Sequence, residues 1–160
     1  KWSGARVIAT GSSTGFDRIK NAGADYVLCY SDPQLEQKIL DISPSGIDRV
    51  IEVEFGNNIN LFPKIMKPYS VLSVYGSAKN MVPILPFGQY LYKGIKISIE
   101  LIYILPELPR LKAIKNLHDA HFDKALKTGI DTIYDLSECA IAHDKSLTPG
   151  RAGAILLSTN

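Results

Sequence analysis

The chain repeats one alternation: a short apolar run, then a stretch whose apolar residues recur at helical spacing. Residues 6–10 (RVIAT), 26–29 (YVLC), 48–53 (DRVIEV) and 70–75 (SVLSVY) read as strands. Residues 14–22, the stretch carrying Leu35, Ile39 and Ile42, and residues 59–66 read as the helices between them. Strands apolar on both pleats need cover on both faces, which means a parallel sheet with helices above and below. Right-handed crossovers then give an α/β fold of the doubly wound, Rossmann type, and residues 1–160 are expected to form one such domain. Ligands in these sheets sit beyond the carboxyl ends of the strands. The residues just after Thr10, Cys29, Val53 and Tyr75 are therefore the informative ones.

Local signals agree with this. Gly23 stops the first helix; Asp32 and Pro33 open the second, one as a cap and one in a first turn that needs no N–H. Residues 78–94, with Pro83, Pro86 and Gly88, read as an irregular loop holding a short turn of helix. Residues 95–101 (IKISIEL) alternate strictly, the mark of a strand with one wet face or a free edge. A long helix is predicted over 107–127, with Leu108, Leu111, Ile114, Leu117, Phe122 and Leu126 inside and Gly129 as its stop. A short helix over 136–145 and a strand over 154–157 follow.

Composition serves mainly to exclude. With 160 residues, 46% of them hydrophobic and 21% charged, the chain suits one soluble globular domain. Its net charge is +2 and its Lys and Arg are scattered, so no basic stripe points to nucleic acid. The longest apolar candidate, ISIELIYIL, falls short of the ~20 residues a membrane helix needs and is broken by Glu100. Cys29 and Cys139 lie far apart without a Cys or His at metal-ligand spacing, and read as free thiols of a cytoplasmic protein. Residues 1–5 resemble the last turn of a helix with Gly4 at its stop, so the chain is expected to start partway through its fold, truncated at the N-terminus.

The turn after the first strand, Gly11-Ser12-Ser13-Thr14, holds two serines and a threonine where a dinucleotide fold specific for a free ribose 2′-hydroxyl carries an acid. Hydroxyls and backbone N–H groups at a helix start form an anion site, and Arg18 can add a charged fork. The turn thus suits the 2′-phosphate of NADP(H). The same residue types also cap helices without binding anything, so the turn by itself leaves both uses open.

The segments GARVIAT, NAGADYVLCY, GIDRVIEVEFGNN, YSVLSVYGSA, LSECAIAHDK and GRAGAILL, in that order, resemble the nucleotide-binding half of the medium-chain dehydrogenase/reductase superfamily. Most of all they resemble its zinc-free quinone oxidoreductases of the zeta-crystallin type, and the resemblance spans essentially the whole chain. It implies that the first strand and the glycine-rich pyrophosphate turn precede Lys1, and that the GroES-like catalytic domain lies outside the chain. It implies that Ser12 and Ser13 face the adenosine 2′-phosphate and that Tyr30 lies near that phosphate and its ribose. Gly56 would pass the adenosine and pyrophosphate with its backbone, and Gly76 and Ser77 would approach the nicotinamide half, glycine giving the main chain access to a ligand. A lysine common in the family's turn is replaced by Gly15, which leaves Arg18 as the candidate cation. The implied cofactor is NADPH and the implied substrate a quinone or enone.

Other motifs carry less. Tyr75 and Lys79 have the spacing of a catalytic Tyr-x-x-x-Lys pair, but Gly76 follows a strand and the two need one helical face. His118 and His121, set among Lys115, Asp119 and Asp123, read as a solvated helix face, and the resemblance implies that His143 is a structural histidine bonded to backbone. Glu52 and Glu54 flank Val53, and no residue is assigned as catalytic or as a metal ligand. The strand over 95–101 is expected to join a homodimer by pairing with its own copy, with local loops as the alternative cover. Two other classes stay open: an NADP(H)-binding sensor or structural protein without turnover, and an S-adenosylmethionine methyltransferase, against which the missing acid counts.

Overall fold

The computed structural model describes residues 1–148 and 150–159. It divides into two compact units, Lys1–Ser31 with the chain from Ala113 onward, and Asp32–Lys112. All strand-to-strand pairings among the described residues are parallel, as runs apolar on both pleats require.

In the first unit β1 (Ile8–Gly11) pairs with β2 (Tyr26–Cys29) in register from Ile8↔Tyr26 to Gly11↔Cys29. Between them a 3-10 turn, Ser13–Gly15, runs into α1 (Phe16–Asn21). Gly23 ends this segment at a φ of 104°, a left-handed conformation that glycine adopts without strain. Asp25 holds the entry to both strands: its carboxylate accepts Lys1 Nζ at 2.7 Å and the Val7 N–H at 2.7 Å, and the Val7 carbonyl accepts the Tyr26 N–H. The Lys1 hydrogen bond, aided by the Val7 amide, keeps the Asp25 carboxyl below its ordinary value. Later in the chain β6 (Ile130–Asp135) pairs with β7 (Ala154–Ser158), and α7 (Cys139–Leu147) between them buries Ala142.

In the second unit the sheet order is β3-β4-β5, formed by Ile47–Glu52, Met66–Val74 and Lys96–Ile99. Helices α2 (Leu35–Ile42), α3 (Phe55–Asn58), α4 (Phe62–Ile65) and α5 (Phe87–Lys93) accompany it. Its core includes Ile39, Phe62, Met66, Leu72 and Tyr90, with Leu72 wholly out of water. The Tyr90 hydroxyl donates to the Ile59 carbonyl at 2.8 Å, and burial pushes its pKa up.

The strand over 26–29 falls where the apolar run placed it. The helix expected over 59–66 shrinks to α4, with a turn over 59–61 separating it from the unexpected α3, and Met66 already belongs to β4. Pro68 has no N–H to give and Tyr69 has a φ of 59°, so regular pairing with β3 resumes only at Arg49↔Val71. Helix α6 (Glu107–Phe122) ends five residues early, because Lys124 takes a left-handed φ of 57° and the Ala125 and Leu126 amides both turn back to the Ala120 carbonyl. None of its residues is buried, so the expected inner face of Leu108, Leu111, Ile114, Leu117 and Phe122 is solvent-exposed, as is Leu126 beyond it. Helical spacing decides which side chains share a face, and a cover for that face needs an opposing element. Strand β6 was not anticipated, since IDTIYD is edged with charge. No described helix is long and apolar enough to cross a membrane.

Candidate functional site

Strands β1 and β2 end as a register pair, Gly11 beside Cys29. The Tyr30 N–H donates to the Gly11 carbonyl at 3.2 Å, so Tyr30 leaves β2 next to the Gly11–Thr14 turn, with its side chain 59% exposed. Ser12 is extended, with φ −71° and ψ 155°, and its carbonyl accepts the Gly15 N–H at 2.9 Å. Capping turns out not to be what the hydroxyls do: no side chain caps either the 3-10 turn or α1. Ser12 Oγ and Thr14 Oγ1 instead share one hydrogen bond of 2.9 Å, and Ser12, Ser13 and Thr14 are all exposed. Helix α1 brings one carboxylate, Asp17, and two cations, Arg18 and Lys20, to the segment that follows. The exposed Arg18 guanidinium makes no hydrogen bond or ion pair among the described residues. A Cβ on Gly15 would stand 3.7 Å from Ser12 Oγ, an ordinary contact, so the turn has room for a side chain there.

In the first unit, then, Ser12, Ser13 and Tyr30 meet around one strand-end turn, with Arg18 in the helix that leaves it. Hydroxyl donors bonded only to each other and an uncommitted guanidinium are the donor set an exposed phosphate monoester needs.

The predicted residues of the second unit also come together, but differently. The turn after β3 and the turn after β4 are bonded to one another. Gly56 N–H donates to Ser77 Oγ at 2.8 Å, Ser77 Oγ donates to the Asn80 carbonyl at 2.5 Å, and Asn80 Nδ2 returns to the Gly56 carbonyl at 3.4 Å. The Phe55 N–H reaches the Gly76 carbonyl at 3.2 Å, and Glu54 forms an isolated antiparallel bridge with Ser77. Each of the neighbouring carboxylates also takes backbone amides: Glu54 Oε2 accepts the Lys79 N–H at 3.0 Å, and Glu52 accepts the Glu54 N–H and, at 3.2 Å, Asn58 Nδ2. A Cβ on Gly56 would lie 2.1 Å from the Asn80 carbonyl oxygen, and one on Gly76 2.7 Å from that of Val53. The lack of a side chain at these glycines therefore serves the close packing of two turns of this chain. Asn80 was missed in the sequence, where an Asn closing a turn after Gly76-Ser77 was the available sign, and Glu54, named there without a role, joins the two turns.

The remaining motifs stay outside this chemistry. Tyr75 is exposed, and Lys79 engages Glu54 through its backbone amide. His118 and His121 are exposed on α6. The His143 ring, expected to bond backbone, is exposed and makes no hydrogen bond among the described residues; the His143 carbonyl accepts Ser146 Oγ. No group of three or more His, Cys, Asp or Glu able to hold a metal occurs among the described residues.

No family model matches the chain, and no curated protein matches it. Solved structures do. A mycobacterial quinone oxidoreductase superposes with a TM-score of 0.83 at 21% identity over 97% of this chain and 50% of its own. A 2-haloacrylate reductase gives a TM-score of 0.83 at 21% identity over 98% and 51%. An NAD-dependent alcohol dehydrogenase gives 0.79 at 23% identity over 98% and 45%. The chain thus spans about half the length of the structures it is similar to, and what it shares with them is the fold.

Proposed function

We propose that this chain, whose fold is that of the nucleotide-binding half of the medium-chain dehydrogenase/reductases, is the coenzyme-binding part of an NADPH-dependent oxidoreductase acting on a quinone or enone. The observation that carries the coenzyme is the turn after β1, where Ser12 and Ser13 point no hydroxyl at a helix end and Arg18 is uncommitted. These groups hold a 2′-phosphate by charge-assisted hydrogen bonds, while Tyr30 flanks the ribose. When bound, the reduced nicotinamide supplies a hydride to a conjugated carbonyl compound. The part this chain plays is to grip the adenosine end and to present the backbones at Gly56 and Gly76. The solved neighbours named as a quinone oxidoreductase and a reductase support the reaction class. Neither Cys29 nor Cys139 forms a disulfide among the described residues, which suits the reducing cytosol.

Calorimetry on the 160-residue chain with NADPH, NADH and S-adenosylmethionine tests this. NADPH is expected to bind tightest, and Arg18→Ala to weaken it about tenfold, the scale of one lost charge-assisted hydrogen bond. Equal affinity for NADH overturns the reading of the turn, and preference for S-adenosylmethionine overturns the class.

We also propose a homodimer through the segment 95–101. Strand β5 pairs with β4 on one side and is the terminal strand of its sheet, and Ile99 on it is 76% exposed. Sedimentation at high micromolar concentration should show a dimer that Ile99→Lys dissociates; a monomer in the unmodified chain removes the proposal.

A further inference from the structure

A serine hydroxyl has one proton to give. That of Ser77 goes to the Asn80 carbonyl at 2.5 Å, while its oxygen receives the Gly56 N–H at 2.8 Å. Gly56 is itself buried, and its N–H points at Ser77 rather than outward. We infer that Ser77 is a positioning residue, a clasp that locks the turn after β4 onto the turn after β3, and that it supplies no hydrogen bond to a coenzyme. The inference rests on the coenzyme reading above and changes the role that reading gives to this side chain.

The clasp explains features that ligand access leaves unexplained. Glycine at position 56 is required by the Asn80 carbonyl, which would sit 2.1 Å from a Cβ, and glycine at 76 by the Val53 carbonyl at 2.7 Å. The bond from Phe55 N–H to the Gly76 carbonyl and that from Lys79 N–H to Glu54 close the same joint from either side. Two turns tied at so many points are ordered before anything binds, so a nucleotide meets backbone groups already in place and loses less entropy in ordering them. Removing the Ser77 hydroxyl leaves the Gly56 N–H and the Asn80 carbonyl without partners, and the turns part to find others.

The test joins two readouts on the full chain: amide hydrogen exchange at Gly56 by NMR, and NADPH titration by calorimetry. In the unmodified chain the Gly56 amide is expected to be protected before nucleotide is added. Ser77→Ala should lose that protection and bind NADPH about tenfold more weakly. Ser77→Thr, which keeps the hydroxyl, should restore both. A Gly56 amide that exchanges freely until NADPH is present overturns the clasp, without recourse to a variant. So does a Ser77→Ala chain that loses affinity while Gly56 stays protected, because the hydroxyl would then be touching the coenzyme. Failure of the unmodified chain to bind NADPH or NADH defeats the coenzyme reading and the positioning role with it, while exchange at Gly56 still reports whether the bond between the turns exists.

Discussion

The turn after β1 and the pair of turns after β3 and β4 are made from similar residues, serine and glycine at the carboxyl ends of parallel strands, and they are used in opposite ways. In the first, Ser12 and Thr14 bond only each other and Ser13 faces water. In the second, the Ser77 hydroxyl, the Gly56 amide and the Asn80 carbonyl are all spent within the chain. Open donors can meet a charged ligand, whereas closed ones can only hold backbone in shape. A motif written in residue types does not tell these apart.

The sharpest way to break the contrast is a methyl group. Gly56→Ala drives a Cβ to within 2.1 Å of a backbone carbonyl oxygen, whereas Gly11→Ala meets the far end of the Ile19 side chain at 2.3 Å, which can rotate away. The first should lower stability by about 1–3 kcal/mol or more and the second by under about 1 kcal/mol, both read from thermal unfolding. Equal losses would mean the two regions are equally tight.

A smaller effect, on affinity rather than stability, is expected at the open turn. Gly15→Lys places an ammonium beside Ser12, where the space allows it, and should raise NADPH affinity about tenfold over NADH without moving the melting temperature. Replacing both Ser12 and Ser13 by Ala should act in the opposite sense. No change in either variant would show that the turn never meets the phosphate.

The smallest effect concerns acid. The folded carboxyl of Asp25 titrates below its ordinary 3.8, so the Lys1 and Val7 bonds it makes contribute fully above that pH. Their contribution is lost as pH falls from there through the lower, folded value. Trp2, the chain's one tryptophan, donates its indole N–H to Asp123 in the same unit at 2.9 Å and serves as the reporter. Its fluorescence should shift in that acid range, and Asp25→Asn should flatten the transition.

The residues themselves determined the parallel α/β class and the place of β2, because a run apolar on both pleats has few stable surroundings. They also marked every turn at which this chain is proposed to bind, since those turns follow directly from where strands end. Tertiary structure alone decided where α6 stopped, because a lysine took the left-handed position that Gly129 was expected to fill. It alone revealed β6, whose Asp131 accepts the Ala152 N–H at 2.9 Å and so holds a charged strand against its neighbour. It alone separated the hydroxyls of Ser12 and Ser77. Whether a hydroxyl is open or committed depends on what lies opposite it after folding, and for Ser77 the partner at Gly56 is 21 residues away along the chain.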